Sequence, residues 1–463
     1  MKTFATGRKL LIALILLSTF TIFLESCKKT DTLTNPPLVE EFPTQTPGNK
    51  NALRHTKQYS CDVATAWFVL LTDIVKTKPY ANPPALRIFA YSGMALYESV
   101  VPGMPSYQSM YKYLTGNSID FDNKKDYYWP ACANAAIARI SSRIMQNYSN
   151  PNLAPMQALE TSLNSSYQSL VTPEQLQSSN EFGRYVADKI YDWSKTDGTL
   201  NSNGSLATCP VYVPLGGAGN WVPTPNNFLP AAGACQGSLR TFVPDIVNTL
   251  LPPPHLLYST DPSSEFYQTA NEVYQARLNI TAEESRAFNN WRDIQGTNYT
   301  PPAHTLRIAT EIILKEKPDL EIAAEFFAKQ TIAAADAIGA VFNAKFHYAL
   351  LRPVTYIRNI LGYTTWNSLS PAPQHPSYPD EMNATASTVA ILENFFGTNY
   401  SFIDSTQKSL YGSFSYATLN DLLLEVGNAR THGGITFDYC VDAGIIQGRS
   451  VATVVNALPF KKP

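Results

Sequence analysis

Three cationic side chains, two adjacent carboxylates and two histidines near the C-terminal end define what chemistry this 463-residue chain can do. Lys345 precedes Arg352-Pro353, Tyr378-Pro379-Asp380-Glu381-Met382 makes a Pro-rich turn, and Ala429-Arg430-Thr431-His432-Gly433-Gly434-Ile435-Thr436 completes the set. Guanidinium groups offer paired donors matched to an oxyanion, and lysine adds a point charge. Both Lys345 and Arg352 fall on a long helix expected from about Asp319. Their spacing comes within about 20° of two full turns, so they share a face about 10 Å apart along the axis. Such a pair can converge on one anion, although the same spacing also suits a solvated basic face. Pro353 makes the chain leave the helix at that point.

Asp380 and Glu381 open other possibilities. With His375, His432 or Asp438 they offer nitrogen and oxygen ligands suited to zinc, manganese or calcium. Alternatively Lys345, Arg352 and Arg430 neutralise them, and the anion pocket is filled by internal salt bridges. His375 precedes Pro376 in a turn and can swing toward the pocket. A helix would point His432, two positions after Arg430, away from it.

The elements that must position these residues are helical. Apolar residues recur at three and four spacings around 62–76, 83–100, 130–147, 155–171, 174–195, 263–278, 281–291, 305–315 and 319–352. Further helices are expected over 384–396, closed by Gly397, over 419–430, and from about 438 to 457. Residues 196–260 break the pattern with glycine, proline and asparagine throughout, yet hold too much Trp, Phe, Leu and Val to be disordered. So long an aperiodic stretch wraps a surface or lines a site. The fold class is therefore mainly α, a helical bundle with a long irregular excursion.

At the N-terminus, Met1-Lys2 to Arg8-Lys9 is basic and Leu10 to Leu24 is apolar. The apolar run, about 15 residues, is too short to span a bilayer and suits an export signal. Ser26-Cys27 at its end is similar to a bacterial lipoprotein signal, which implies lipidation of Cys27 and a membrane anchor outside the cytoplasm. The expected organisation is a signal over 1–27, a flexible tether rich in Thr, Pro, Asn and Glu over 28–57, and one helical domain over 58–463. A net charge of −2 and no basic tract argue against nucleic acid as a partner. Setting Cys27 aside leaves Cys61, Cys132, Cys209, Cys235 and Cys440, of which Cys209 and Cys235 can staple the excursion or remain free.

Taken together, Lys345 with Arg352-Pro353, the Pro-rich turn and the Arg430 segment resemble the signature K-x6-RP, PSGH and SR-x5-H of the vanadium-dependent haloperoxidase and type 2 phosphatidic-acid phosphatase (PAP2) superfamily. Similarity to its bacterial haloperoxidase-like branch extends to Ala85–Ala90, Met94–Val100, Trp221–Pro225, Trp291 with Asp293, and Thr300–His304. The resemblance implies a haloperoxidase/acid-phosphatase-like bundle and places Lys345, Arg352 and Arg430 at the oxyanion-binding positions, with vanadate or phosphate as the anion.

The same resemblance withholds the chemistry. The histidine that attacks phosphorus or ligates vanadium falls on Thr436, and the proton-transferring histidine of PSGH falls on Met382. A threonine hydroxyl without an adjacent base is a poor nucleophile, and a thioether cannot shuttle protons. Asp380 and Glu381 replace the serine and glycine of that motif and would repel an oxyanion. The expected protein is a diverged, catalytically impaired lipoprotein on the periplasmic or outer-membrane side of a bacterial envelope. An active phosphatase or haloperoxidase recruiting His375 or His432 is the first alternative. The second is an envelope interaction module with a homo-oligomeric or protein partner.

Overall fold

Nine alanines between Leu320 and Tyr348 make a strong helix former that is apolar on every side, and such a segment belongs in the middle of a bundle. In the computed structural model, which describes residues 55–77, 82–148, 151–294 and 296–463, Leu320–Tyr348 is that central helix. Asp319 caps its start by accepting from the Ile322 amide at 3.0 Å. Asn82–Val100 packs on it from the N-terminal half of the chain and Met382–Phe396 from the C-terminal half. Trp129–Met145 and Pro173–Ser194 extend the first layer, while Asp438–Asn456 and Leu419–His432 extend the second. Asn51–Pro463 form one compact unit.

Most of the expected helices are present within a few residues of their expected ends, and the larger departures have local causes. Pro301–Glu316 starts earlier than residue 305 because Pro301 and Pro302 occupy the first turn, where a missing N–H breaks no bond. Ala154–Tyr167 stops before residue 171. The central helix does not reach residue 352. It ends at Tyr348, where Ala349 takes a left-handed conformation (φ 50°) and its amide bonds the Lys345 carbonyl. Arg352 is extended (φ −88°, ψ 153°), as a residue before proline prefers, so it does not share a helix face with Lys345. A hairpin pairs Phe402–Asp404 with Phe414–Tyr416, too short for an alternating pattern to announce it.

The stretch 196–260 is irregular except for a 3-10 turn at Gln236–Ser238 and the single-turn helix Ile246–Thr249, and a Cys209–Cys235 disulfide closes a loop within it. Asp336 of the central helix holds it by accepting from the amides of Phe242 at 2.7 Å and Val243 at 2.8 Å. It also reaches the site, because the Trp221 amide bonds the Ala349 carbonyl and the Leu351 amide bonds Gly219. Cys61, Cys132 and Cys440 are free thiols, all buried.

The expected signal over 1–27 with Cys27, and the expected tether up to residue 54, lie outside the described residues. The folded body begins slightly before residue 58: Thr56 is buried and its hydroxyl donates to the Val100 carbonyl at 2.8 Å. Among the described residues no helix is long and apolar enough to cross a membrane.

Candidate functional site

The turn at 375–381 is where the cations and acids meet, and the last helix sets its position. Gly444 lies against the Asp380 backbone so closely that a Cβ there would collide with the Asp380 carbonyl. The Asp380 amide donates to the Cys440 carbonyl at 2.9 Å. Its carboxylate accepts from the Met382 amide at 3.1 Å, at the start of Met382–Phe396, where the helix dipole favours a negative group.

Lys345 and Arg352 reach this turn from different elements, and both are fully buried. Lys345 Nζ donates to three backbone carbonyls, those of Pro376 at 2.9 Å, Ser377 at 3.2 Å and Pro379 at 2.5 Å. Its three ammonium protons are thus taken up by the loop. Burial, with Arg352 nearby, pushes its pKa down to about 7. Arg352 donates from Nε to the His375 carbonyl at 2.8 Å, from Nη1 to the Ile435 carbonyl at 3.1 Å, and from Nη2 to His375 Nδ1 at 3.0 Å. Burial lowers its pKa to about 10.

Arg430, near the end of Leu419–His432, takes Asp380 from both sides: Nε lies 2.6 Å from Oδ1 and Nη2 donates to Oδ2 at 3.0 Å. Glu381 sits 4.0 Å from Nη2. Burial alone would raise both acids. Arg430 first, then Lys345, holds Asp380 below the usual carboxylate range, and His375 with Lys345 does the same for Glu381. Of the three cations it is Arg430 that pairs with Asp380 and Glu381, while Lys345 and Arg352 lie buried at the same turn with their hydrogen bonds spent on backbone carbonyls and His375, so the salt bridges expected of all three are made by one.

Both nitrogens of His375 are engaged. Because Arg352 can only donate, Nδ1 must accept, which leaves the proton on Nε2, 3.3 Å from Glu381 Oε2. Burial pushes the ring's pKa down to about 4, so it is neutral. His432 is elsewhere: its Nδ1 pairs with Glu284 at 2.8 Å, in the capping box of Ala282–Trp291. Thr436 is buried against Ser377, hydroxyl to hydroxyl at 3.1 Å, and Met382 is part of the hydrophobic core. Burial pushes the neighbouring Cys440 thiol up to about 12, which keeps it neutral. Among the described residues no group of three or more His, Cys, Asp or Glu is placed to hold a metal ion.

A cavity of about 540 Å³ opens beside the turn, lined by Phe288, Trp291, Arg292, His375, Glu381 and Arg430 among others. Asp293 also faces it and anchors a cluster to which the residue pattern assigned no role. His304 Nδ1 lies 3.0 Å from Asp293, while Nε2 is 2.8 Å from the Thr406 hydroxyl and 3.5 Å from Asp404. The ring stacks between Trp291 and Tyr299, at 4.5 Å and 5.6 Å between centroids. Burial would lower its pKa, but Asp293 and Asp404 outweigh that and hold it up at about 10. Asp404 comes from the hairpin, far along the chain, and nothing local in the sequence announces it.

Residues 325–459 match the family model described as the VCPO second helical-bundle domain. A solved structure described as the first bacterial vanadium-dependent iodoperoxidase superposes with a TM-score of 0.77 at 26% identity, over 89% of this chain and 97% of that one. Holo-type and apo-type bacterial vanadium-dependent chloroperoxidase structures superpose with TM-scores of 0.62 at 15% identity, over 82% of this chain and 92% and 94% of theirs. Their likeness is one of fold. Curated protein sequences give no significant match.

Proposed function

The chain belongs to the vanadium haloperoxidase superfamily, and from that premise we propose that it is a catalytically silent member whose oxyanion pocket is closed by its own carboxylates. The observation that carries this reading is Asp380, buried and clasped by Arg430 at 2.6 Å and 3.0 Å. A tetrahedral oxyanion does not fit these residues. Lys345 has no donor left for it, Arg430 already holds a carboxylate, and Glu381 adds a second negative charge at the cavity wall. Thr436 and Met382 supply neither a nucleophile nor a proton shuttle. The two candidate substitutes do not repair this, since His375 has both nitrogens engaged and His432 pairs with Glu284 outside the cavity.

The expected result is no thermal shift of the full chain with millimolar vanadate. No p-nitrophenyl phosphate hydrolysis and no vanadate-dependent bromination with peroxide are expected either. Turnover in either assay that disappears in Arg430→Ala would overturn the proposal. The scaffold itself is tested by the combined variant Asp380→Ser, Glu381→Gly, Met382→His and Thr436→His, which should gain vanadate binding.

We further propose that the protein is exported and anchored through a lipidated Cys27. The support is the basic, apolar and Ser26-Cys27 order of the first residues. Labelled palmitate should enter the expressed protein and be absent from Cys27→Ala. Equal labelling of the two would rule the anchor out.

A further inference from the structure

A second cavity, of about 440 Å³, lies away from the Asp380 turn, between Asn82–Val100, the central helix and the disulfide-bearing stretch 196–260. Its size is that of a small-molecule site. The polar groups along it form a chain. Arg87 Nε donates to Asp197 Oδ2 at 2.8 Å, and the Tyr91 hydroxyl donates to the same oxygen at 3.0 Å. Arg240 Nη2 in turn donates to that hydroxyl at 3.0 Å.

Charge does not balance along this chain. Asp197 neutralises Arg87, while the acceptors that Arg240 meets are all neutral: the Tyr91 hydroxyl and the carbonyls of Trp193 and Thr241, both at 3.3 Å. Its guanidinium also lies over the Trp193 ring, 4.4 Å from the centroid, a flat stack that leaves the edge for donors. Asp336, the other acid on the wall, accepts from the Phe242 and Val243 amides, and burial pushes its carboxyl up to about 7, so it offsets the Arg240 charge only in part. Two donors remain without a partner among the described residues, Arg87 Nη1 and Arg240 Nε. A buried donor left unmet is unfavourable, so each asks for an acceptor. Leu86, Leu239 and Ile338 supply an apolar part of the wall.

We propose that this cavity binds a small organic monoanion, its carboxylate-type head at Arg240 and Arg87 and its apolar body against Leu86, Leu239 and Ile338. The unmet donors of two guanidiniums, only partly offset by Asp336, call for a negatively charged acceptor, and the apolar wall calls for a hydrocarbon or aromatic body rather than an inorganic ion. The site is independent of the Asp380 turn, so its fate and that of the silent oxyanion pocket are decided separately.

The test uses the full chain in calorimetric titrations with benzoate, benzyl alcohol and benzylamine, three bodies alike in shape with negative, neutral and positive heads. Benzoate is expected to bind saturably and the other two not. Arg240→Gln should weaken it about tenfold or more, since a hydrogen bond to a charged group is lost. Leu206→Trp, which fills the cavity at its exposed rim and leaves both arginines in place, should abolish binding with the fold unchanged by circular dichroism. It decides the matter if Arg240→Gln fails to fold. No benzoate binding across the millimolar range, equal binding of benzyl alcohol, or benzoate binding unaffected by Leu206→Trp would each overturn the proposal.

Discussion

Replacing Asp380 with serine is expected to destabilise the ligand-free protein by about 3–5 kcal/mol, and to turn vanadate or phosphate into a stabilising ligand. The first effect follows from what remains after the change. Lys345 and Arg352 stay buried and Arg430 nearly so, and of the two acids beside them only Glu381, 4.0 Å from Arg430, is left. Removing one partner of a buried pair leaves the other charge without compensation, which is far worse than losing an exposed salt bridge. The second effect follows from the first. An anion that binds only the folded state adds about 2.7 kcal/mol at a hundredfold excess over its dissociation constant, and the released Arg430 fork is shaped to receive it. Urea titrations of wild type and Asp380→Ser, each with and without vanadate, separate the two effects. A variant as stable as wild type would show that the buried pair contributes little. A variant that is destabilised but indifferent to vanadate would show that the emptied pocket collapses rather than opens.

His304→Asn should be the other large loss, again about 3–5 kcal/mol, because it strands Asp293 and Asp404 in the core without their cation. Here pH supplies the diagnostic. Asp293 and Asp404 hold the imidazole at about 10 in the folded protein, above its ordinary value of about 6.5. A pKa raised on folding contributes stability that is fully present below about pH 6.5 and is lost as pH rises through about 10. Wild-type unfolding free energy should therefore fall between those limits, and His304→Asn should be much flatter over the same range. Parallel curves for the two proteins would mean that His304 is not a charged anchor there.

His304 also shows why part of this protein was legible in its sequence and part was not. Helix positions follow from local signals, the three-and-four spacing of apolar residues and caps such as Asp319, and these placed the long helices near their observed spans. They did not place the short ones, Met110–Thr115, Ile246–Thr249, Pro353–Asn359 and Lys408–Tyr411, which hold too few turns to show a period. A site assembled across the chain has no such local signature. Asp293, His304 and Asp404 lie on a loop, a helix and a hairpin, and only packing brings them together. Lys345 and Arg352 teach the reverse lesson. Their spacing pointed to a shared helix face, which Ala349 and Pro353 forbid, yet both side chains still arrive at the 375–381 turn because the loop wraps around them.

What the sequence by itself determined is the fold family and the residue types at the site, since periodicity and motif order are properties of residues near one another in the chain. It also determined that imidazoles are missing where Met382 and Thr436 stand. Whether Asp380 and Glu381 would ligate a metal, repel an anion or be neutralised in place was open, because each outcome needs the same residue types. Tertiary structure decided it through distance and burial. Gly444 lets the last helix press on Asp380, Arg430 closes on it from another helix, and the fully buried Asp380 carboxylate pairs with that guanidinium.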